Sequence, residues 1–132
     1  HLLSRRQRQM CIRDRALAAR CGGVTVSWED LPRAAAEHGL LLNATPLGME
    51  GSPEFESLDF VQALPTKAVV YDLVYHPTDT ALLRAAGSRE LTAVGGLALL
   101  VQQAALAFAH FTGIVPDAAL CRNILQELEA AQ

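Results

Sequence analysis

The sequence has few of the residues that mark a metal centre or a disulfide framework. Its three cysteines, Cys11, Cys21 and Cys121, lie far apart, and no Cys-x-x-Cys pair occurs. The four histidines lack metal-ligand spacing as well. An odd number of separated cysteines argues against both a disulfide framework and a zinc site. We therefore expect no bound metal and reduced thiols, as in a cytoplasmic protein.

Glycine-rich phosphate loops and nucleophilic catalytic arrangements are also missing. No Gly-x-Gly-x-x-Gly or Walker pattern occurs, and no Ser-His-Asp or Cys-His arrangement has supporting context. Lys67 is the only lysine and precedes a predicted strand, so it lies at the amino end of the sheet. Ligands of open α/β sheets bind at the opposite edge. We interpret Lys67 as a solvated surface residue.

Strong positive charge and a long apolar run are absent too. The net charge of −3 argues against nucleic acid or an anionic membrane as a partner. The most apolar stretch, 97–115, is interrupted by Gln102, Gln103 and His110, whereas a membrane span needs about 20 apolar residues. Because 51% of the 132 residues are apolar, we expect one domain with a hydrophobic core. We also expect a soluble, cytoplasmic protein.

The first fifteen residues differ from the rest of the chain. They include five arginines and no apolar periodicity, so we expect an unstructured head at 1–15. The head ends in MCIRDR, which resembles translated sequencing-adapter sequence. We interpret 1–15 as non-native and expect the natural sequence to begin near Ala16.

Short apolar runs alternate with helical patterns from there on. The runs predict strands at 24–28, 40–45, 68–75 and 91–94. The longest predicted helices are 97–111 and 117–130. This alternation predicts an α/β fold with a parallel sheet and right-handed crossovers. An apolar stripe along 97–111 predicts that this helix packs on the sheet.

The carboxyl end of strand 68–75 is the first candidate for function. An apolar strand that leads into a helix places Asp72 and Tyr75 where open α/β sheets bind ligands. Asp79 is expected to cap the helix that follows. The alternative interpretation is a strand end whose polar residues make only turn contacts.

Two further places are candidates. Pro46 pushes Thr45 into an extended conformation, so that the Thr45 hydroxyl faces the crevice. Gly96 and Gln103 lie about 10.5 Å apart along one helix face, where Gly96 admits a ligand. Gln103 stands among apolar residues, where a buried amide needs a partner, and a ligand hydroxyl could be that partner. The alternatives are loop shaping at 43–46, a plain turn at Gly96 and a loop carbonyl as the partner of Gln103.

Three motifs, in this order and spacing, resemble the carboxyl-terminal half of shikimate dehydrogenase. They are NATPLGM at 43–49, YDLVYHPTDTALL at 71–83 and GGLALLVQQ at 95–103. The resemblance covers about 16–132 and implies an incomplete Rossmann-type domain that binds NADP. It also implies the reduction of 3-dehydroshikimate to shikimate with NADPH, in the chorismate pathway to the aromatic amino acids.

The resemblance also implies roles for single residues. The cofactor contacts that it implies are Ala44, Thr45, Leu73 and Gly96. The contacts with shikimate or 3-dehydroshikimate that it implies are Tyr75 and Gln103. The family's catalytic Lys-Asp pair belongs to an amino-terminal domain without a counterpart here, so no catalytic residue is named. We expect the chain to be a truncated piece, inactive by itself.

An incomplete sheet follows from the same resemblance. In the strand order 3-2-1-4-5-6, this chain would hold strands 3 to 6 and lack strands 1 and 2. Strand 40–45 would then present a bare apolar edge. We expect a three-stranded remnant, with 24–28 displaced, unpaired or wrongly paired.

Two other functions stay open on the sequence. A quinate/shikimate dehydrogenase that uses NAD is one, because the residues that select the cofactor have no counterpart in this chain. A ligand-binding module without chemistry is the other. The sequence does not indicate an oligomeric state.

Overall fold

The computed structural model describes residues 14–131. Residues 14–21 are helical (α1), and Gly22 follows them with a φ of 68°. Asp14 and Arg15 were expected to belong to an unstructured head, and this is wrong because both lie in α1. The rest of the predicted head, 1–13, lies outside the described residues.

Three parallel strands form the sheet in the order β1-β2-β3. They are β1 (Leu40–Asn43), β2 (Val69–Asp72) and β3 (Thr92–Val94). The predicted α/β class and the three-stranded parallel remnant are confirmed. Each strand is shorter than predicted, because the chain turns away from the ladder soon after Asn43 and Asp72.

Five further helices accompany the sheet. They are α2 (Leu31–Ala35), α3 (Asp59–Ala63), α4 (Ala81–Gly87), α5 (Gly96–Thr112) and α6 (Ala118–Ala130). The last two agree with the predicted helices to within one residue at each end. Among the described residues, no helix combines the length and the apolar character that crossing a membrane requires.

The cap of α4 differs from the prediction. Thr80, and not Asp79, is the N-cap: its hydroxyl oxygen accepts a hydrogen bond from the Leu83 amide at 3.3 Å. Asp79 instead accepts a hydrogen bond from the Arg84 guanidinium at 3.0 Å on the surface. Thr80 is favoured over Asp79 as the N-cap because the Thr80 side chain is buried and close to the end of β2.

The segment 24–28 is not a strand, so that prediction is wrong. It has no regular structure, Val24 is 87% exposed, and the Trp28 ring makes an edge contact with Phe55. A β-branched run needs a neighbouring strand to satisfy its backbone, and none lies beside it among the described residues. The expectation that this segment would be unpaired is confirmed.

One face of the sheet carries the core. The buried cluster joins β2 to α2, α3 and α4, and its members are Ala35, Phe60, Val61, Leu64, Ala68, Val70, Leu82, Ala86 and Leu91. Leu40 and Leu42 of β1 point away from it and are at least half exposed. The expected bare, apolar edge at β1 is therefore present, since within residues 14–131 β1 pairs only with β2.

Helix α5 leaves the sheet instead of packing on it, contrary to the prediction. Its buried residues are Gly96, Leu97 and Val101, all in the first two turns. The Gly96 amide donates to the Val74 carbonyl at 3.2 Å, and beyond that turn the main partner of α5 is α6. Leu106 and Phe111 are 73% and 85% exposed. The apolar stripe does identify a packing face, but it does not say what that face packs against.

We expect the pairing of the strands to show in amide hydrogen exchange. Amides of 24–27 should exchange at nearly unstructured rates, whereas those of Val69–Asp72 should exchange at least about a thousandfold more slowly, because β2 is paired on both sides. Exchange measured by NMR on the monomer tests this. Firm protection of both 24–28 and Leu40–Asn43 would contradict the observed sheet.

Candidate functional site

A buried carboxylate holds the carboxyl edge of the sheet together. Asp72 ends β2 and is fully buried. Its Oδ1 accepts from Asn43 Nδ2 at 2.9 Å and from the Val74 amide at 3.0 Å, and its Oδ2 accepts from the Thr80 hydroxyl at 2.7 Å. The carboxylate thereby links β1, the turn after β2 and the N-terminus of α4. For Asp72, the interpretation as a residue that makes structural contacts is the better one.

Asn43 carries this network into the loop after β1. Its Oδ1 accepts from the Thr45 amide at 3.0 Å and from the Thr45 hydroxyl at 2.7 Å. The Thr45 oxygen in turn accepts from the Leu47 amide at 3.2 Å. The Thr45 hydroxyl hydrogen is therefore already used in the hydrogen bond to Asn43, so toward a ligand this hydroxyl can act only as an acceptor.

A cavity of about 390 Å³ opens between the two loops that follow β1 and β2. The first loop and the turn after β2 supply its lining: Ala44, Thr45, Pro46, Met49, Glu50, Leu73, Val74, Tyr75 and His76. Four of the six predicted site residues, Ala44, Thr45, Leu73 and Tyr75, therefore lie together. Tyr75 is 51% exposed, which leaves its ring accessible from the cavity.

Gly96 adjoins this cavity from the first turn of α5. A Cβ at Gly96 would lie 2.7 Å from the Val74 carbonyl oxygen and closer still to the Leu73 carbonyl. No real side chain tolerates such contacts, so only glycine lets α5 start this close to the turn after β2. The structure thus gives Gly96 a packing reason that the sequence interpretation did not contain.

Gln103 is not brought to the cavity by the described contacts. It lies two turns further along α5, is exposed, and does not belong to the cavity lining. The premise that Gln103 is a buried amide in need of a partner is therefore wrong. Its role in substrate binding stays a prediction that rests on the resemblance.

Two ionisable lining residues, Glu50 and His76, were missed by the sequence interpretation. His76 Nε2 lies 2.5 Å from Glu50 Oε2, and the Glu50 amide donates to the His76 carbonyl at 3.1 Å. The sequence predicts a loop at 49–53 and a surface or packed histidine at His76. The position of His76 next to Tyr75 was the one available signal, since a pair 26 residues apart leaves no local pattern.

A second cavity, of about 380 Å³, lies between α5 and α6. Its lining is almost wholly apolar and includes Val101, Phe108, Leu120 and the buried Cys121. It offers no polar side chain that could orient a ligand. Within 14–131, no group of three His, Cys, Asp or Glu side chains could hold a metal ion.

Comparison with known proteins gives one consistent family. The model of the Shikimate 5'-dehydrogenase C-terminal domain matches residues 96–126. The shikimate dehydrogenase (NADP(+)) of Methylocella silvestris is 48% identical over 106 residues, which are 79% of this chain and 37% of that protein. That of Acidiphilium cryptum is 44% identical over 115 residues, or 86% of this chain and 41% of that protein. The chain thus spans about two fifths of the length of these relatives.

Solved structures agree with the sequence matches. Shikimate 5-dehydrogenase from Thermus thermophilus, in complex with NADP(H) and shikimate, is 34% identical with a TM-score of 0.67, covering 86% of this chain and 41% of its own. Quinate dehydrogenase from Corynebacterium glutamicum, in complex with NAD, is 31% identical with a TM-score of 0.67, covering 80% and 36%. The fold is therefore that of the Rossmann-like part of these enzymes.

Gly96→Ala should destabilise the protein by about 1–3 kcal/mol, because its Cβ would overlap two backbone carbonyls that cannot move without shifting the turn after β2. Gly87→Ala is the matched control. It lies in α4 with open space around it, so it should stabilise by about 0.4–1 kcal/mol. Urea unfolding of both variants provides the comparison, and equal stabilities would contradict the close packing at Gly96.

Asp72→Asn should lower the free energy of unfolding by about 1–3 kcal/mol. The new NH₂ group would replace one carboxylate oxygen that now accepts a hydrogen bond, so two donors would face each other there. Asp79→Asn serves as the control, since its carboxylate is exposed and its pair with Arg84 should contribute less than about 1 kcal/mol. Thermal or urea unfolding measures both. A loss at position 72 no larger than that at 79 would refute the role of Asp72 as the link.

Proposed function

The chain belongs to the shikimate dehydrogenase family over the part that it matches, and from this premise we propose that it forms the cofactor-side wall of an NADP-dependent shikimate dehydrogenase. The reaction is the reduction of 3-dehydroshikimate to shikimate. The observation that carries the proposal is the cavity at the carboxyl ends of β1 and β2, because it is lined by two of the three family motifs. We expect the protein to act in the cytoplasm, in keeping with the free thiols of Cys21 and Cys121.

The residues present fit the nicotinamide end of the cofactor. The wall combines apolar surface from Ala44, Leu73 and Val74 with the fixed oxygen of Thr45. A flat, partly polar ring is suited to such a wall. The sequence has no glycine-rich loop for the phosphates, so this chain would hold only that end of NADP. The bound cofactor supplies the hydride.

The chain's own residues would bind and orient the reactants. Ala44 and Thr45 would line the cofactor on one side of the cavity and Leu73 on the other. The exposed Tyr75 phenol would donate to a substrate oxygen, and Gln103 would contribute its amide from α5. None of these groups is assigned the proton transfer to the carbonyl, because no lysine or carboxylic acid with that role is identified here.

A quinate/shikimate dehydrogenase that uses NAD is the second candidate, in which the substrate alcohol is oxidised to a ketone and its hydride passes to NAD. The specific observation in its favour is the quinate dehydrogenase structure in complex with NAD, whose TM-score equals that of the shikimate dehydrogenase complex. The sequence identities of the curated relatives favour the NADP-dependent enzyme.

The function is tested by a chimera. Residues 16–132 of this chain would replace the matching part of the Methylocella silvestris enzyme, and reduction of 3-dehydroshikimate would be followed by the loss of NADPH absorbance. We expect the chimera to reduce 3-dehydroshikimate with NADPH. An inactive chimera that is folded by circular dichroism would overturn the proposal, and faster oxidation of quinate than of shikimate with the same oxidised cofactor would favour the second candidate.

In that chimera, Tyr75→Phe and Gln103→Ala should each lower kcat/KM for the substrate by about three- to tenfold, through the loss of one hydrogen bond. Tyr71→Phe is the matched control, because Tyr71 lies in β2 and outside the cavity lining. It should leave kcat/KM unchanged. Tyr75→Phe without effect would remove Tyr75 from the substrate site.

A further inference from the structure

The cavity is closed at one side by a pair of residues from its two different walls. Glu50 comes from the loop after β1, and His76 comes from the turn after β2. Their side chains meet at 2.5 Å, and the Glu50 amide also donates to the His76 carbonyl at 3.1 Å. Backbone and side chain thus tie the same two residues together in a two-point contact, which we call the Glu50–His76 latch.

We propose that the Glu50–His76 latch is a positioning device that sets the width of the cofactor cavity. Thr45 lies five residues before Glu50, and Leu73 lies three residues before His76. The latch therefore fixes the two loops on which the opposite walls of the cavity are carried. The inference rests on the proposed function in one respect only, namely that the ligand between these walls is NADPH.

A comparison of the two walls shows why such a tie is needed. At the base of the cavity, β1 and β2 are joined by the Leu73 amide, which donates to the Asn43 carbonyl at 3.0 Å, and by the Asn43–Asp72 bond. Beyond that point each loop is stabilised mainly by hydrogen bonds within its own turns. One example is the bond that the Met49 amide donates to the Pro46 carbonyl. The latch joins the loops again at the mouth, so the walls are held at both ends.

The magnitude expected from the latch is modest. Both side chains are more than half exposed, and exposed ion pairs contribute little to global stability. A loop arrangement that is a local equilibrium responds to such small changes even where global unfolding does not. The latch should therefore alter local opening and ligand affinity by about three- to fivefold, with little change in unfolding.

The test is a double-mutant cycle on this chain, with Glu50→Ala, His76→Ala and the double variant. The first readout is hydrogen exchange of the Glu50 amide by NMR, which needs no ligand. Each single variant should raise its exchange rate about three- to fivefold, and the double variant should raise it no further. Glu50→Gln keeps an acceptor oxygen and should restore most of the protection.

The second readout is titration with NADPH, followed by the amide shifts of Thr45 and Leu73. Each single variant should weaken NADPH binding by about three- to fivefold, again without additivity. Asp79→Ala and Arg84→Ala supply the control, because this equally exposed pair lies outside the cavity lining and should change neither readout.

The outcomes separate two hypotheses, namely that the latch positions the two loops and that NADPH is the ligand between them. Unchanged exchange at Glu50 in the single variants, or effects that simply add, would overturn the latch whatever the ligand does. Altered exchange together with unaltered NADPH affinity would overturn its positioning role. Where the chain alone binds NADPH too weakly to titrate, the same variants are compared in the chimera. Failure of the unsubstituted chimera to bind NADPH, with the exchange results as expected, would count against NADPH as the ligand and leave the latch supported.

Discussion

A buried carboxylate with three donors around it is the constraint on which the rest of this structure depends. An ion such as Asp72 is costly to bury unless its oxygens are satisfied, and here donors from β1, from its own turn and from α4 satisfy them. The geometry of these donors fixes the positions at which β1 and β2 stop. Since the cavity begins where the strands stop, the carboxylate defines its floor without lining it.

The sequence predicted the parts of the fold that depend on local chemistry. Apolar runs within 40–45 and 68–75 located β1 and β2, and the helical patterns at 97–111 and 117–130 located the last two helices. Features that depend on a distant partner were not predictable in this way. The run 24–28 has strand chemistry but no neighbour, and the stripe of α5 faces α6 and solvent where the sheet was expected.

The candidate site shows the same division. Thr45 and Tyr75 could be placed together because residues at the carboxyl ends of parallel strands share one edge, whereas Ala44 and Leu73 were named by the resemblance. Glu50 could not be found, since it reaches the cavity only through a loop conformation that no spacing encodes. Gln103 was interpreted as buried because its neighbours are apolar, yet an exposed helix face accommodates a glutamine without any partner.

The attachment of α5 through a single glycine has a mechanical consequence. A helix of 17 residues is about 25 Å long, and the close approach of this one to the turn after β2 lies in its first turn. A rigid tilt of α5 would therefore pivot near Gly96. A tilt of about 10° there displaces the far end near Thr112 by about 4 Å, but Gln103 by less than about half of that. In such a tilt, side chains near Gly96 would keep their position relative to the sheet. Side chains in the outer half of α5 would move together with its main partner, α6.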